Sequence, residues 1–299
     1  MTHNILEQVT LEAADGLKLV GYHFASEEPQ AAILVCPATG VTQKFYFSFC
    51  RWLSRNGYSA FTFDYRGLGE SLGSSSLLSS KARLQDWGEL DMPAALAWLE
   101  NRYPSLPKHL IGHSAGGLLF GLMPNHKTLS SVISVAASIG YIDAIAMPER
   151  LVTYFLFKIY LPLAVALCGY LPAKRFNLAE DLPAGVARQW YDWCSKPGYV
   201  QNAFGREILT NYYAQIAIPM LVLNVQDDPV ASAFNVSALD QLFPNAPIEK
   251  VCLVPAQFGL SRVGHMGFFR EKNAQLWLCV IEWLKAKENP DRKENSSDI

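Results

Sequence analysis

Charge is scarce in this chain. Asp, Glu, Lys and Arg make up only 17% of its 299 residues, and they nearly cancel to a net −2. No lysine- or arginine-rich run appears, so the chain offers a phosphate backbone little to hold, and no nucleic-acid partner is expected. Cys-x-x-Cys pairs are lacking as well. The six cysteines, Cys36, Cys50, Cys168, Cys194, Cys252 and Cys279, are scattered, several in apolar surroundings such as Val35-Cys36-Pro37. That spacing points to buried free thiols rather than disulfides or a zinc site. The stretch Met1 to Glu7 has neither the basic start nor the apolar core of a secretory signal, and the expected location is the cytoplasm. Internal repeats are missing, and Ser74-Ser75-Ser76 reads as a loop.

What the chain does have is apolar mass, half of its residues. Its length allows one large α/β domain with an insertion, or two ordinary domains. Leu151 to Pro172 is almost continuously apolar and long enough to cross a bilayer. Lys158 inside the run, Pro162 interrupting it and its place in mid-chain argue instead for a buried or lid helix pair. No stable membrane insertion is expected.

Strand and helix patterns alternate through the first 136 residues. Gln8 to Ala13 and Leu17 to Phe24 flank Asp15-Gly16 as a hairpin. Ala31 to Cys36 is a short apolar strand of the buried parallel type. A helix pattern from Gln43 to Asn56, a strand at Ser59 to Phe63, and a helix from about Ala82 to Asn101 follow. Strands at His109 to Gly112 and Ser131 to Ala136 come next. After residue 218 the pattern resumes with a strand from Pro219 to Val225, a helix from Ala231 to Leu242, a strand from Ile248 to Pro255 and a helix from Gly267 to Lys287. Such alternation predicts a mostly parallel sheet covered by helices on both faces. Residues 140–217 break it and read as a helical insertion between the core segments 1–139 and 218–288. The polar tail 289–299 is expected to fray.

The densest signal is Gly112-His113-Ser114-Ala115-Gly116, between the apolar His109-Leu110-Ile111 and a small-residue stretch expected to start a helix. A serine on a sharp strand-to-helix turn has its hydroxyl projected clear of the sheet, and the flanking glycines allow strand and helix to pack closely. A helix N-terminus there would also favour developing negative charge. The bland alternative is a small-residue turn. A serine hydroxyl attacks only once a base takes its proton. Of the six histidines, His265 lies in Val263-Gly264-His265-Met266-Gly267, a glycine-flanked loop that packing explains poorly. The base needs a carboxylate partner, and Asp227 and Asp228 directly follow an apolar strand. Asp228-Pro229-Val230 is the better placed, in the turn entering the next helix. Asp227 stays a competitor, and helix capping is the ordinary alternative for both.

The chain order Ser, then Asp after a late strand, then His before the last helix resembles the α/β-hydrolase superfamily over nearly the whole length. Asp64-Tyr65-Arg66-Gly67-Leu68-Gly69-Glu70-Ser71 looks like its loop after the fourth strand. Gly264-His265-Met266-Gly267-Phe268-Phe269 is similar to the histidine loop of a bacterial predicted-hydrolase branch, related to serine aminopeptidase-like and monoacylglycerol lipase-like proteins. The resemblance implies an eight-stranded, mostly parallel sheet with a helical cap at 140–217. It also implies a Ser114–His265–Asp228 triad that cleaves an ester, thioester or small amide through an acyl-enzyme. Many relatives carry His-Gly after the third strand; this chain has Pro37-Ala38-Thr39-Gly40-Val41. The oxyanion hole is therefore expected from the backbone N–H of Ala115 and of Thr39 or Gly40. No metal or organic cofactor is implied. The expected partner is a small, apolar acyl substrate, because the insertion carries Tyr154, Phe155, Phe157, Tyr160, Leu161, Leu163, Leu167 and Tyr170. These are too many apolar groups to leave exposed on a monomer. An aminopeptidase-like peptidase and a non-catalytic receptor on the same fold are the alternatives. The peptidase would need an acidic anchor, for which Glu180-Asp181 is the only adjacent acidic pair in the insertion.

Overall fold

The computed structural model describes residues 6–74, 76–176 and 179–288. The predicted tail 289–299 and the first five positions lie outside the described residues. The expected hairpin forms: β1 (Leu6–Glu12) pairs antiparallel with β2 (Lys18–Phe24). Along β1, Val9 and Leu11 are buried while Gln8 and Thr10 face out, the period of two that a half-covered edge strand requires. β3 (Ala31–Cys36), β4 (Tyr58–Phe63) and β5 (Lys108–His113) are buried from end to end. All three lie in the middle of the sheet; β3 reads as the unbroken apolar run that cover on both faces favours, whereas β4 and β5 also bury Ser59, Thr62, Lys108 and His109. β6 (Leu129–Val135), β7 (Met220–Val225) and β8 (Ile248–Leu253) complete eight strands in the order β1-β2-β4-β3-β5-β6-β7-β8. β1 and β2 are antiparallel to their neighbours, and the other pairs are parallel.

Helices cover both faces. α1 (Phe47–Arg55) lies on one side with Phe49 and Leu53, and α5 (Leu278–Glu288) joins it there with Val280 and Leu284. The helix α2 (84–102), which passes through a π turn at Trp87–Asp91, covers the opposite face with Trp87, Leu96 and Leu99.

Three helices of the core segments differ from the sequence expectation. The stretch after Ser114 forms two 3-10 turns, Ser114–Gly117 and Leu119–Leu122, instead of a regular helix. Gly116, Gly117 and Gly121 each lower helix propensity by about 1 kcal/mol relative to alanine. The expected helix from Ala231 is two short pieces, Ala233–Ser237 and Leu239–Leu242, the first capped by the Ser232 hydroxyl on the N–H of Asn235. The last helix becomes regular only at Leu278, because Asn273 leaves helical geometry and its side chain donates to the Gly267 carbonyl.

Between β6 and β7, residues 140–217 hold the helix α3 (Glu149–Cys168), a small ribbon pairing Tyr170–Leu171 with Leu182–Pro183, and α4 (Ala184–Cys194). The expected helix pair is in fact one continuous helix. A π turn at Leu156–Tyr160 lets the N–H of Leu161 bond the Leu156 carbonyl, and Pro162 then opens the next helical segment. A missing N–H is cheap at that position. Of the two expected settings, buried or lid, full burial is not the one found. Phe157, Leu161, Ala164 and Val165 face inward, while Leu151, Val152, Phe155, Ile159, Leu163 and Leu167 are exposed. Among the described residues it is the one helix long and apolar enough to cross a membrane, by length and composition. The cysteines are free, with Cys36, Cys50 and Cys194 buried as expected and Cys252 exposed.

Candidate active site

Ser114 stands where β5 ends, with φ +50°, a region that side chains other than glycine rarely occupy. The glycines around it are sterically required. A Cβ on Gly112 would lie 2.3 Å from the Gly116 carbonyl oxygen, and one on Gly116 would lie 2.3 Å from that of Cys36. The strand and the turn leave no room for a methyl group at either crossing.

Gly264, at φ +62°, starts the helical turn Gly264–Gly267 that carries His265. His265 Nε2 lies 3.1 Å from Ser114 Oγ, and its Nδ1 lies 2.8 Å from Asp228 Oδ2. A carboxylate can only accept, so Nδ1 carries the proton and donates it to Asp228, which leaves Nε2 free to accept from the serine hydroxyl. Asp228 is buried, and its Oδ1 accepts from the N–H groups of Val230 and Ala231 at 2.9 and 3.2 Å. The neighbouring Asp227 points elsewhere, and its two oxygens accept from the N–H groups of Val263 and Gly264 at 2.9 and 2.8 Å. One acid meets the imidazole, and the other holds the loop that presents it.

A cavity of about 280 Å³ opens beside Ser114 and His265. Thr39 and Ala115 line it, along with Leu118, Ile145, Val230 and Met266. Gly40 turns toward the insertion: its carbonyl accepts from the Glu180 N–H at 2.8 Å, and a Cβ on it would lie 2.7 Å from that of Ala179. Of the two candidate donors after β3, Thr39 is therefore the one beside the cavity. Because no regular helix follows Ser114, charge developing here would meet individual N–H groups rather than a helix dipole. Glu180 and Asp181, considered as an acidic anchor, bond Lys174 instead, through its ammonium and its N–H respectively.

Sequence reading missed a connection under the site. His113 is buried, and its Nε2 donates to the carbonyl of His265 at 3.0 Å. Its Nδ1 accepts from the Tyr46 hydroxyl at 2.8 Å, and that hydroxyl in turn accepts from the Ala38 N–H at 2.9 Å. The loop after β3, the serine turn and the histidine loop are thereby tied together. Burial, with His265 beside it, pushes the His113 imidazole down to about 3, so it stays neutral. Nothing in the sequence links Tyr46 to a histidine 67 positions away. The loop 64–71 is held in a similar way: Asp64 accepts from the N–H of Gln43 and of Glu70, both at 2.8 Å. A larger cleft of about 490 Å³ lies away from the serine, beside Asp15 and Arg66, whose charges already pair with one another. Among the described residues no cluster of His, Cys, Asp or Glu is placed to hold a metal ion.

Solved structures resemble this fold. A monoglyceride lipase of Saccharomyces cerevisiae matches with a TM-score of 0.65 at 17% identity, covering 96% of this chain and 97% of its own. A carboxyl esterase of Bacillus coagulans matches at 0.62 and 13% identity, over 94% of this chain and 98% of its own. An esterase of Pyrococcus furiosus matches at 0.58 and 18% identity, over 94% and 91%. No curated protein sequence matches. A family model described as serine aminopeptidase, S33 matches residues 27–253, from the edge of β3 to the end of β8. That span includes the serine turn and both candidate acids, and the chain belongs to this hydrolase family, built on the α/β-hydrolase fold.

Proposed function

We propose that this chain is a serine hydrolase that cleaves carboxylic esters, or thioesters and small amides, through an acyl-enzyme. The observation that carries the reading is the continuous path from Ser114 Oγ to His265 Nε2 and from His265 Nδ1 to buried Asp228, opening on an apolar cavity. In the first step Ser114 Oγ bonds the substrate carbonyl carbon while its proton passes to His265 Nε2. The oxygen that gains negative charge accepts from the N–H groups of Ala115 and Thr39 (Gly40 is the alternative second donor). His265 then gives its proton to the departing alkoxide as the acyl–oxygen bond breaks. Water, deprotonated by His265 in turn, bonds the acyl carbon; the bond to Ser114 Oγ breaks as His265 returns the proton to that oxygen, and the acid leaves. Asp228 holds the imidazole in the tautomer that this sequence needs.

Residues 140–217 act as a cap over the serine, and the substrate is a small molecule with an apolar acyl group. Support comes from the lining contributed by Ile145, Leu156, Phe157 and Trp190. The family description favours a second reading, release of an amino-terminal residue from a peptide. Among the described residues lining the cavity none is a carboxylate, which leaves a substrate ammonium without a partner there. Labelling with a fluorophosphonate probe, followed by nitrophenyl esters and aminoacyl nitroanilides, separates the readings. Covalent capture at Ser114 with ester turnover is the expected result. Turnover of the anilides alone would move the assignment to the peptidase, and absence of labelling would remove the acyl-enzyme altogether.

A further inference from the structure

A second cavity of about 230 Å³ lies within the insertion, lined only by apolar and aromatic residues, among them Leu161, Leu171, Ala173 and Leu182. The one hydroxyl on its wall, that of Tyr160, is already bonded to the Pro172 carbonyl at 2.9 Å. With no free polar side chain on its wall, the space favours apolar groups over polar ones. Leu156, Phe157, Ala179 and Trp190 line this chamber and the cavity at Ser114 alike. They form the wall between the two. Each space alone is smaller than the roughly 300 Å³ at which small-molecule sites begin, and joined they fall within that range.

Two of these four residues sit at an irregular point of the backbone. Leu156 and Phe157 open the π turn of α3, where the backbone is already widened. Phe157 meets Trp190 edge-on, ring centroids 4.9 Å apart, and stacks on Tyr191 at 5.9 Å, so its ring is held in place between the two spaces. We propose that the second chamber is a subsite for the distal methylenes of the acyl group, and that Phe157, packed on Trp190, is the partition that sets the accepted chain length. The inference rests on the acyl-enzyme reading above. A straight acyl chain attached to Ser114 would pass Phe157 and end against Ala173 and Leu182.

The experiment compares kcat/KM for nitrophenyl esters from acetyl to dodecanoyl, in the wild type, Phe157→Leu and Ala173→Leu. In the wild type, kcat/KM should rise from butanoyl to octanoyl, by up to about fourfold per methylene. Ala173→Leu, which fills the far end, should lower the octanoyl-to-butanoyl ratio at least tenfold. Phe157→Leu, which thins the partition, should raise the dodecanoyl-to-octanoyl ratio. A wild-type profile that falls beyond butanoyl overturns the proposal, as do variants whose ratios stay at the wild-type values. Should either variant fail to fold, the wild-type profile decides alone. Fluorophosphonate labelling of Ser114 is measured in parallel: its failure would sink the acyl-enzyme reading, whereas labelling with a flat or falling chain-length profile sinks only the subsite.

Discussion

In the proposed mechanism a proton leaves Ser114 first, and His265 Nε2, 3.1 Å away, is placed to accept it. Ser114→Ala and His265→Gln should each lower kcat/KM by roughly three or more orders of magnitude, and the double variant should cost little more, because such residues act as a unit. The adjacent acids give a sharper test. Asp228→Asn puts an amide where the imidazole needs an acceptor and should cost about 10⁴-fold in kcat. Asp227→Asn loosens two N–H bonds to the histidine loop, each worth about 1 kcal/mol, and should act first on stability. Steady-state kinetics beside thermal melts would show the ordering, and its reversal would pass the triad role to Asp227. His113 belongs to the same scale. His113→Gln can still donate to the His265 carbonyl and accept from Tyr46, so it should retain far more activity than His113→Phe, with KM nearly unchanged in both. Equal losses in the two variants would mean that only the volume of the side chain matters.

Among the elements, α3 makes the strongest claim. Leu161 is 4% exposed and Leu163, two positions on, is 57% exposed. Leu161→Ala should therefore destabilise by about 2–5 kcal/mol, whereas Leu163→Ala should stay within about 0.5 kcal/mol of wild type. Urea denaturation measures both, and equal losses would show that the outer face of α3 is covered. This pair also marks the limit of what is legible in the sequence. The serine turn and the sheet can be read because part of what shapes them is local: Gly112 is forced by a contact at 2.3 Å with Gly116, four positions on, and β3 is apolar on both faces. The direction in which a uniformly apolar helix turns is not local. Leu161 and Leu163 look alike in the sequence, and only packing against α4 and the ribbon distinguishes them. The turns after Ser114 depart from expectation for the converse reason. Glycines there permit a closely packed helix, but Gly121 in fact fits against the ring of Tyr213, 92 positions away, where a Cβ would lie 2.2 Å from it. The link from Tyr46 to His113 is invisible in the sequence for the same reason of distance.

Over the whole molecule, two fully buried groups set opposite responses to pH. His113 falls from an ordinary value of 6.5 to about 3 on folding, mainly because burial disfavours the imidazolium. The unfolded chain then takes up the proton first, so this contribution to stability is complete above about 6.5 and is lost as pH falls toward 3. Asp91 shifts the other way. Burial raises its carboxyl from 3.8 to about 7 even with the Arg66 guanidinium 2.6 Å away. Here the folded chain takes up the proton first, so the contribution is complete below 3.8 and is lost as pH rises through about 7. Between about pH 4 and 6.5 the two slopes oppose each other, each at most about 1.4 kcal/mol per pH unit. Removing one of them should expose the other. His113→Gln should gain stability relative to wild type as pH falls from 6.5 to 4.5, and Asp91→Asn should lose it over the same interval. Urea midpoints at half-unit steps of pH provide the measurement, and the comparison with wild type cancels every group that the substitutions leave alone. Parallel profiles for wild type and His113→Gln would mean that His113 takes up a proton as readily in the folded chain as in the unfolded one. Its Nδ1 could not then accept from Tyr46, and the tie from Ala38 through Tyr46 to the histidine loop would be broken in the folded protein.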